Sequence, residues 1–442
     1  MSSLRITVQV IVILLFVLFL TWPEALAPVN FLFKINMLAI PVAAVSALTL
    51  FTGLVFTLIT LILTLRFGRF FCGWICPLGS FIDAVDKVSA RKPKWIKAAG
   101  IKYYLLLIII LAATGGLSVA WVLDPMSWAA RTWGIFSRKS DSLNTAWFFM
   151  VFLILFSILG GRRAFCRMLC PLGAALAVIA RFSRFSFKRS DTCSDCGTCA
   201  FDCRMAAIDP DNGEISKSEC IQCQTCVDSC KMNALEFDYS RFGKAPEFSL
   251  SRRSVLTTLG IGVVSASSMR TLVTLTPEKR KLRPPGAKPE DVFNNLCIRC
   301  NSCVQACPTG GLEAAAIDIS PVQMLTPVLS GRKGGCDYNC NACGKVCPSG
   351  AIEHLSLHEK RRTVIGHARL ERKRCIPYAK QESCLACYSA CPLDAVNLKE
   401  APIKLRWGDR LLLPVVNDVR CTGCGLCEAV CPVEGSAIKV HP

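Results

Sequence analysis

Between Cys193 and Cys431 the chain repeats one arrangement of cysteines so regularly that little else about its folding is free to vary. Cys193, Cys196, Cys199 and Cys203 form a C-x2-C-x2-C-x3-C run, and Cys220, Cys223, Cys226 and Cys230 repeat it. So do Cys297, Cys300, Cys303 and Cys307, and later Cys421, Cys424, Cys427 and Cys431. Two runs are variants. Cys336, Cys340, Cys343 and Cys347 have one extra residue in the first gap, while Cys375, Cys384, Cys387 and Cys391 have a long one. Together the six runs hold 24 of the 28 Cys in 442 residues.

The spacing follows cluster geometry. Three thiolates on a tight loop reach three corners of an iron–sulfur cubane, and a fourth closes it. Zinc sites use two separated Cys pairs instead, and a disulfide scaffold belongs to small secreted chains and has no reason for this period. The Cys336, Cys340, Cys343 spacing also occurs in radical-SAM enzymes, but here Cys347-Pro348 follows it within an array and no barrel-length sequence accompanies it. Six [4Fe–4S] clusters are expected. Pro308, Pro348, Pro392 and Pro432 follow the last Cys of their runs, as in bacterial ferredoxins, while Arg204 and Lys231 stand there in the first two.

In two-cluster ferredoxins the fourth Cys ligates the other cluster. Cys230 is therefore expected to join Cys193, Cys196 and Cys199, and Cys203 to join Cys220, Cys223 and Cys226. For the later four runs a nested exchange is expected. Cys431 would complete Cys297, Cys300 and Cys303, and Cys307 would complete Cys421, Cys424 and Cys427. Likewise Cys391 would complete Cys336, Cys340 and Cys343, and Cys347 would complete Cys375, Cys384 and Cys387.

The first third is a different kind of sequence. Apolar residues make up 52 % of the chain and concentrate here. Runs at Ile6–Trp22, Val45–Leu65, Tyr103–Val122 and Ala146–Leu159 approach the roughly 20 apolar residues a membrane span needs. The shorter 31–42 stretch reads as an interfacial segment. Basic residues such as Arg66, Lys92, Arg162 and Arg167 crowd the loops after the second and fourth runs, which places those loops and the N-terminus in the cytoplasm. The same crowding gives the net charge of +19 a better explanation than nucleic acid. The four His all lie late in the chain and no Cys-x-x-Cys-His occurs, so neither bis-His haem in this section nor c-type haem is expected. No fragment has the strand–turn–helix context of a nucleotide site.

An internal repeat lies within this section: "RFFCGWICPLGSFIDAV" (69–85) matches "RAFCRMLCPLGAALAVI" (163–179). Cys72 and Cys76, or Cys166 and Cys170, are four apart and share one face if helical. The four thiols fit a joint iron–sulfur centre, redox-active dithiols, or structural Cys at a Pro-terminated helix end.

Between the two arrays lies "LSRRSVLTTLGIGVV" (250–264), which reads as a twin-arginine export signal placed mid-chain. Metal binding and folding are coupled, so a cluster-loaded domain must cross a membrane already folded. On that reading the segment up to about Leu275 is an anchor and the residues beyond it face the periplasm, although Lys281 and Arg283 run against the positive-inside rule. A short buried helix is the alternative.

Residues 1–235 resemble the NapH family of membrane ferredoxin-type proteins through "CGWICP", "CRMLCP" and two ferredoxin runs. Residues from about 250 onward resemble the NapG family through "SRRSVL", "LRPPGA", "CIRCNSCVQACP", "CGKVCPSGA" and "CTGCGLCEAVCP". The chain thus reads as a fusion of the two. The resemblance implies a haem-free, quinol-oxidising electron route that serves a periplasmic reductase, nitrate reductase in that family, directly or through its cytochrome partner. A quinol site needs a proton acceptor, for which Asp83 and Asp86 are weak candidates; both are expected instead to sit solvated beside the basic loop. It makes the chain an electron-transfer component rather than a stand-alone enzyme. A redox maturation factor for a metalloenzyme and a cytoplasmic membrane-anchored polyferredoxin are the alternatives.

The expected architecture is therefore multi-domain: an all-α membrane bundle of four spans plus a fifth anchor, with α+β bacterial-ferredoxin-like [4Fe–4S] domains. Residues 1–190 form the membrane domain, 191–240 a cytoplasmic two-cluster domain, 241–290 the signal and linker, and 291–442 a periplasmic four-cluster domain. The expected location is the bacterial inner membrane, multi-pass, with a cytoplasmic N-terminus and electrons drawn from the quinone pool.

Overall fold

The protein is described from a computed structural model covering residues 2–21, 54–89, 100–114, 118–136, 143–210, 212–238, 252–275, 280–315, 322–404 and 410–442. Its contacts divide it into two compact units: the first takes Met1–Thr21, Pro28–Trp133 and Asn144–Leu275, and the second takes Thr276–Pro442 with two short earlier segments, Trp22–Ala27 and Gly134–Leu143.

In the first unit the two halves of the internal repeat fold alike. Phe70–Trp74 and Ala164–Met168 are single helical turns, and each is followed by a helix that begins at the motif proline, Pro77–Ser89 and Pro171–Ala180. Proline suits a first helical position because its missing N–H would have no partner there. The Cys170 sulfur caps the second of these helices by accepting from the Gly173 N–H at 3.2 Å. Longer helices pack around the pair. Ser2–Thr21 lies against Pro77–Ser89, and both Leu54–Phe67 and Ile101–Thr114 lie against Pro171–Ala180. Phe71, Trp74, Leu78, Ile82, Phe165 and Leu172 fill the space between them.

Among the described residues no helix is long and apolar enough to cross a membrane. This overturns the expected bundle of four spans with a fifth anchor, and with it the multi-pass inner-membrane location, the cytoplasmic N-terminus and the periplasmic C-terminal domain. Part of the reason is length. Leu54–Phe67 and Ile101–Thr114 have 14 residues each, or about 21 Å of helix against a hydrocarbon core of about 30 Å. Ser2–Thr21 is longer, but its Arg5 and Gln9 are buried in polar contacts with Asp83 and the Gly73 carbonyl. The mid-chain export segment is a 24-residue helix, Arg252–Leu275, rich in Gly, Ser and Thr. It packs along Ile101–Thr114, with Gly262 against the Leu111 side chain. The 31–42 stretch lies outside the described residues.

The cysteine runs fold into three modules of one plan, one in the first unit and two in the second. In each, the chain before the first Cys pairs antiparallel with the chain after the last. Strand β1 (Ser186–Arg189) pairs with β2 (Leu235–Asp238) around the Cys193–Cys230 span. Ala287 bridges Ile352 around Cys297–Cys347. β5 (His367–Leu370) pairs with β8 (Ile438–His441) around Cys375–Cys431. Inside each module a second antiparallel contact joins the two runs: the Ile208–Ile215 bridge, β3 (Leu312–Ala314) with β4 (Pro327–Leu329), and β6 (Val396–Lys404) with β7 (Arg410–Val416). Each module thus closes locally, and Phe187 and Phe237 pack tilted across the first with ring centroids 4.9 Å apart.

Candidate metal centres

Each run carries its third Cys on a one-turn helix and its fourth just beyond it. The helices are Thr198–Asp202, Thr225–Asp228, Ser302–Gln305, Ala342–Lys345, Ala386–Ser389 and Leu426–Ala429. In the four regular runs the backbone turns left-handed at the same two places. One is the residue before the second Cys (Asp195, Gln222, Arg299, Gly423) and the other the residue after it (Gly197, Gln224, Asn301, Gly425). Alternating right- and left-handed residues turn successive N–H groups inward, which makes a cradle for an anion. Only Gly adopts that geometry without cost, so the five non-glycine residues held there mark a strained, over-determined loop.

Backbone N–H groups also donate to the fourth thiols. Ala207 N–H reaches Cys203 Sγ at 3.2 Å, Ala234 reaches Cys230 at 3.3 Å, Ile352 reaches Cys347 at 3.4 Å, Ala395 reaches Cys391 at 3.2 Å and Ala437 reaches Cys431 at 3.3 Å. Hydrogen bonds to cluster sulfurs are one of the protein's means of setting reduction potential.

The groupings of the first module follow the expected exchange. A cavity of about 290 Å³ is lined by Cys193, Cys196, Cys199 and Cys230. Cys203 lies with Cys220, Cys223 and Cys226, each close enough to act on its neighbours' charge. The second unit departs from the nested exchange. Cys347, not Cys431, lies with Cys297, Cys300 and Cys303. Cys307, not Cys391, lies with Cys336, Cys340 and Cys343. Cys431 lies with Cys375, Cys384 and Cys387 in place of Cys347, and Cys391 lines one cavity with Cys421, Cys424 and Cys427 in place of Cys307. The reason is closure. Each run is tied to its immediate successor by the hairpin between them, so the short helix delivers its fourth Cys to that neighbour.

To bind metal the thiols must give up protons that burial helps them keep. Burial first, and then neighbouring thiols, push Cys343 up to about 12 and Cys387 up to about 11. Ligation requires the thiolate and displaces those protons. Among the described residues no three Cys, His, Asp or Glu side chains converge as the ligands of one metal ion would. Four thiols around a larger space are the arrangement that a four-iron core takes up.

The four Cys of the internal repeat also meet. Cys72 and Cys166 pack with Cys203, Cys220 and Cys223 around Met205, Ala207 and Ile221. Sequence reasoning missed the ion network that holds this junction. Asp83, expected in solvent, is buried and pairs with Arg163 at 2.7 Å, Arg204 at 2.8 Å and Arg5. Asp86 is buried too, accepting from the Arg163 N–H at 2.8 Å. Glu219, next to Cys220, binds Arg69 at 2.9 Å, the Tyr103 hydroxyl at 2.7 Å and Lys102. The signal available was positional, because Arg69 and Arg163 stand three residues before the first Cys of their halves.

Paired groups of four thiols on one-turn helices, closed by two-stranded ladders, define an iron–sulfur electron-transfer protein of ferredoxin type that carries several [4Fe–4S] clusters. Comparison with known proteins places it more closely. A 4Fe–4S binding domain matches residues 49–96 and 144–190, and a 4Fe–4S dicluster domain matches residues 219–311 and 382–434. The methylamine utilization ferredoxin-type protein MauM of Paracoccus denitrificans is 36 % identical over 189 residues, 42 % of this chain and 82 % of that protein. The ferredoxin-type protein NapG of Escherichia coli is 36 % identical over 165 residues, 37 % of this chain and 71 % of that protein. The regulatory protein NosR of Stutzerimonas stutzeri is 34 % identical over 174 residues, 35 % of this chain and 22 % of that protein. The chain belongs to the family of ferredoxin-type proteins that includes MauM and NapG. No solved structure matches it.

Proposed function

We propose that the chain is an electron relay that carries six [4Fe–4S] clusters, takes electrons from a quinol and passes them to a periplasmic terminal reductase of the nitrate-reductase kind. Its 24 run cysteines are the ligands, in the groups described above, with each fourth Cys exchanged between adjacent runs. Residues 1–235 act as a NapH-like donor-side part fused to a NapG-like part. The observation that carries this reading is the grouping of the thiols: in all three modules the fourth Cys of one run lies with the first three of the other, as an exchange of fourth ligands requires. In the second unit the Cys336 N–H donates to the Cys424 carbonyl at 2.7 Å, so neighbouring modules abut at their thiol groups. A chain of closely spaced centres fits transfer rather than bond-making chemistry.

The test is anaerobic mixing of the purified chain with a reduced quinol, followed by visible absorbance and electron paramagnetic resonance. Rapid bleaching and new reduced-cluster signals are expected. A chain fully loaded with iron that stays oxidised in excess quinol, yet reduces with dithionite, would show that quinol is not its donor.

A further inference from the structure

Neither half of the internal repeat has enough thiols to hold a cluster, since residues 49–96 contain only Cys72 and Cys76, and residues 144–190 only Cys166 and Cys170. The fold brings the four together. Cys76 acts on Cys72 and Cys166, Cys166 on Cys72, and Cys170 on all three others, so every pair lies within mutual reach.

Two buried arginines cross between the halves. Arg163 reaches from the second half to the Cys72 carbonyl at 2.9 Å and the Gly79 carbonyl at 3.3 Å. Arg69 reaches the other way, its Nη2 lying 3.0 Å from where a Cβ on Gly173 would be. The glycines of the two Cys-Pro-Leu-Gly segments thus leave room for the guanidinium of the opposite half. A side chain at Gly173 would press on Arg69 and lie 3.5 Å from Cys170 Sγ.

Arg69 is fully buried, and while its Nη1 binds Glu219, its Nε and Nη2 have no partner. A buried donor left unmade costs more than a made one returns, and Cys72 and Cys170 lie close enough to Arg69 for a charge on either to act on it. Basic side chains also outnumber acidic ones around it. Arg5, Arg69, Lys102, Arg163, Arg167 and Arg204 face Asp83, Asp86 and Glu219.

The Cys220–Cys226 loop is clamped to this place. The Trp74 indole donates to the Gln222 carbonyl at 2.9 Å, and Arg5 reaches the Cys223 carbonyl at 3.4 Å. Gly73 lets the Ile221 carbonyl approach so closely that any side chain there would collide with it.

We propose that Cys72, Cys76, Cys166 and Cys170 jointly ligate one further [4Fe–4S] cluster, shared between the two halves of the repeat and seated beside the Cys203, Cys220, Cys223, Cys226 group. This deepens the relay reading and rests on it. The four thiolates supply the ligands, Arg69 and Arg163 balance the charge, and the clamped loop makes the site one end of the relay.

The test is iron and sulfide per full-length chain, purified without oxygen, with alkylation of free thiols under denaturing conditions. About 28 irons are expected, against about 24 if only the six runs are loaded. In the Cys72→Ser/Cys166→Ser double variant, iron should fall by about four per chain while the signals of the other clusters persist. Arg69→Gln should keep the iron of the runs but shift the potential, or lower the occupancy, of this one centre, a readout that holds if the double variant fails to fold. About 24 irons, with the four thiols recovered free or as disulfides, would overturn this proposal and leave the relay standing. Far fewer irons would overturn both.

Discussion

Cys347 separates two ways of wiring the second unit. It lies with Cys297, Cys300 and Cys303, so Cys347→Ala should remove the centre of that group and spare the centre of Cys375, Cys384 and Cys387. The measurement is iron content together with loss of one set of paramagnetic signals, and a nested exchange would give the opposite pattern. Gly73→Ala forces a methyl group against the Ile221 carbonyl. Overpacking of this kind costs about 1–3 kcal/mol and should loosen the Cys220 loop, seen as faster loss of visible absorbance on heating. The buried carboxylates give a pH signature. Burial and the nearby Asp83 raise Asp86 from the usual 3.8 to about 6. Its folded form therefore binds the proton more tightly than its unfolded form, and stability is lost as pH rises from about 4 to about 6. Asp86→Asn should flatten that decline when the thermal midpoint is followed by tryptophan fluorescence across the same range. At this scale the six runs of four cysteines were legible, because their identity and spacing stand in the sequence itself. The partners of Asp83 were not, since Arg5, Arg163 and Arg204 are brought to it from three distant parts of the chain.

Among elements, the two-stranded closures decide which cysteines meet. β5 and β8 bracket the last module, and the Ala368 N–H reaches Cys421 Sγ at 3.5 Å from within β5. Val440 in β8 donates to Glu428 at 3.0 Å. Removal of 438–442 should release both and cost the module its two centres, a loss of about eight irons, with the Cys297–Cys347 module retained. Sequence spacing suggested that four runs might nest as readily as pair, because loop-closure entropy grows only slowly with length. The hairpins β3–β4 and β6–β7 settle the matter by tying each run to its successor. The export-like segment teaches a related lesson. Its arginines and modest apolarity matched a signal, yet a helix rich in Gly and Ser also packs closely against a neighbour, and here it lies along Ile101–Thr114.

At the scale of the whole molecule, the first unit keeps many large apolar side chains on its outer faces, among them Ile11, Leu14, Ile59, Ile62, Val151 and Leu155. Large apolar side chains exposed in this number favour association. Without detergent the chain should run as an oligomer or aggregate in light scattering, and detergent should disperse it. A monodisperse monomer in plain buffer would mean that these side chains are covered by the chain itself. The apolar runs were visible in the sequence and still misled. Hydropathy reports composition along the chain, but not where a helix ends or whether an arginine within it finds a buried carboxylate, as Arg5 finds Asp83.

The sequence alone determined the chemistry of this protein: thiolate spacing dictates which three ligands each loop presents, because that geometry is local and spans a dozen residues. Tertiary structure decided what local geometry cannot reach. It decided which fourth thiol lies with each group of three, gathered Cys72, Cys76, Cys166 and Cys170 from two distant halves, and set buried arginines around them. Those outcomes depend on strand pairing and burial, which act between segments far apart in the chain and leave no regular period in it.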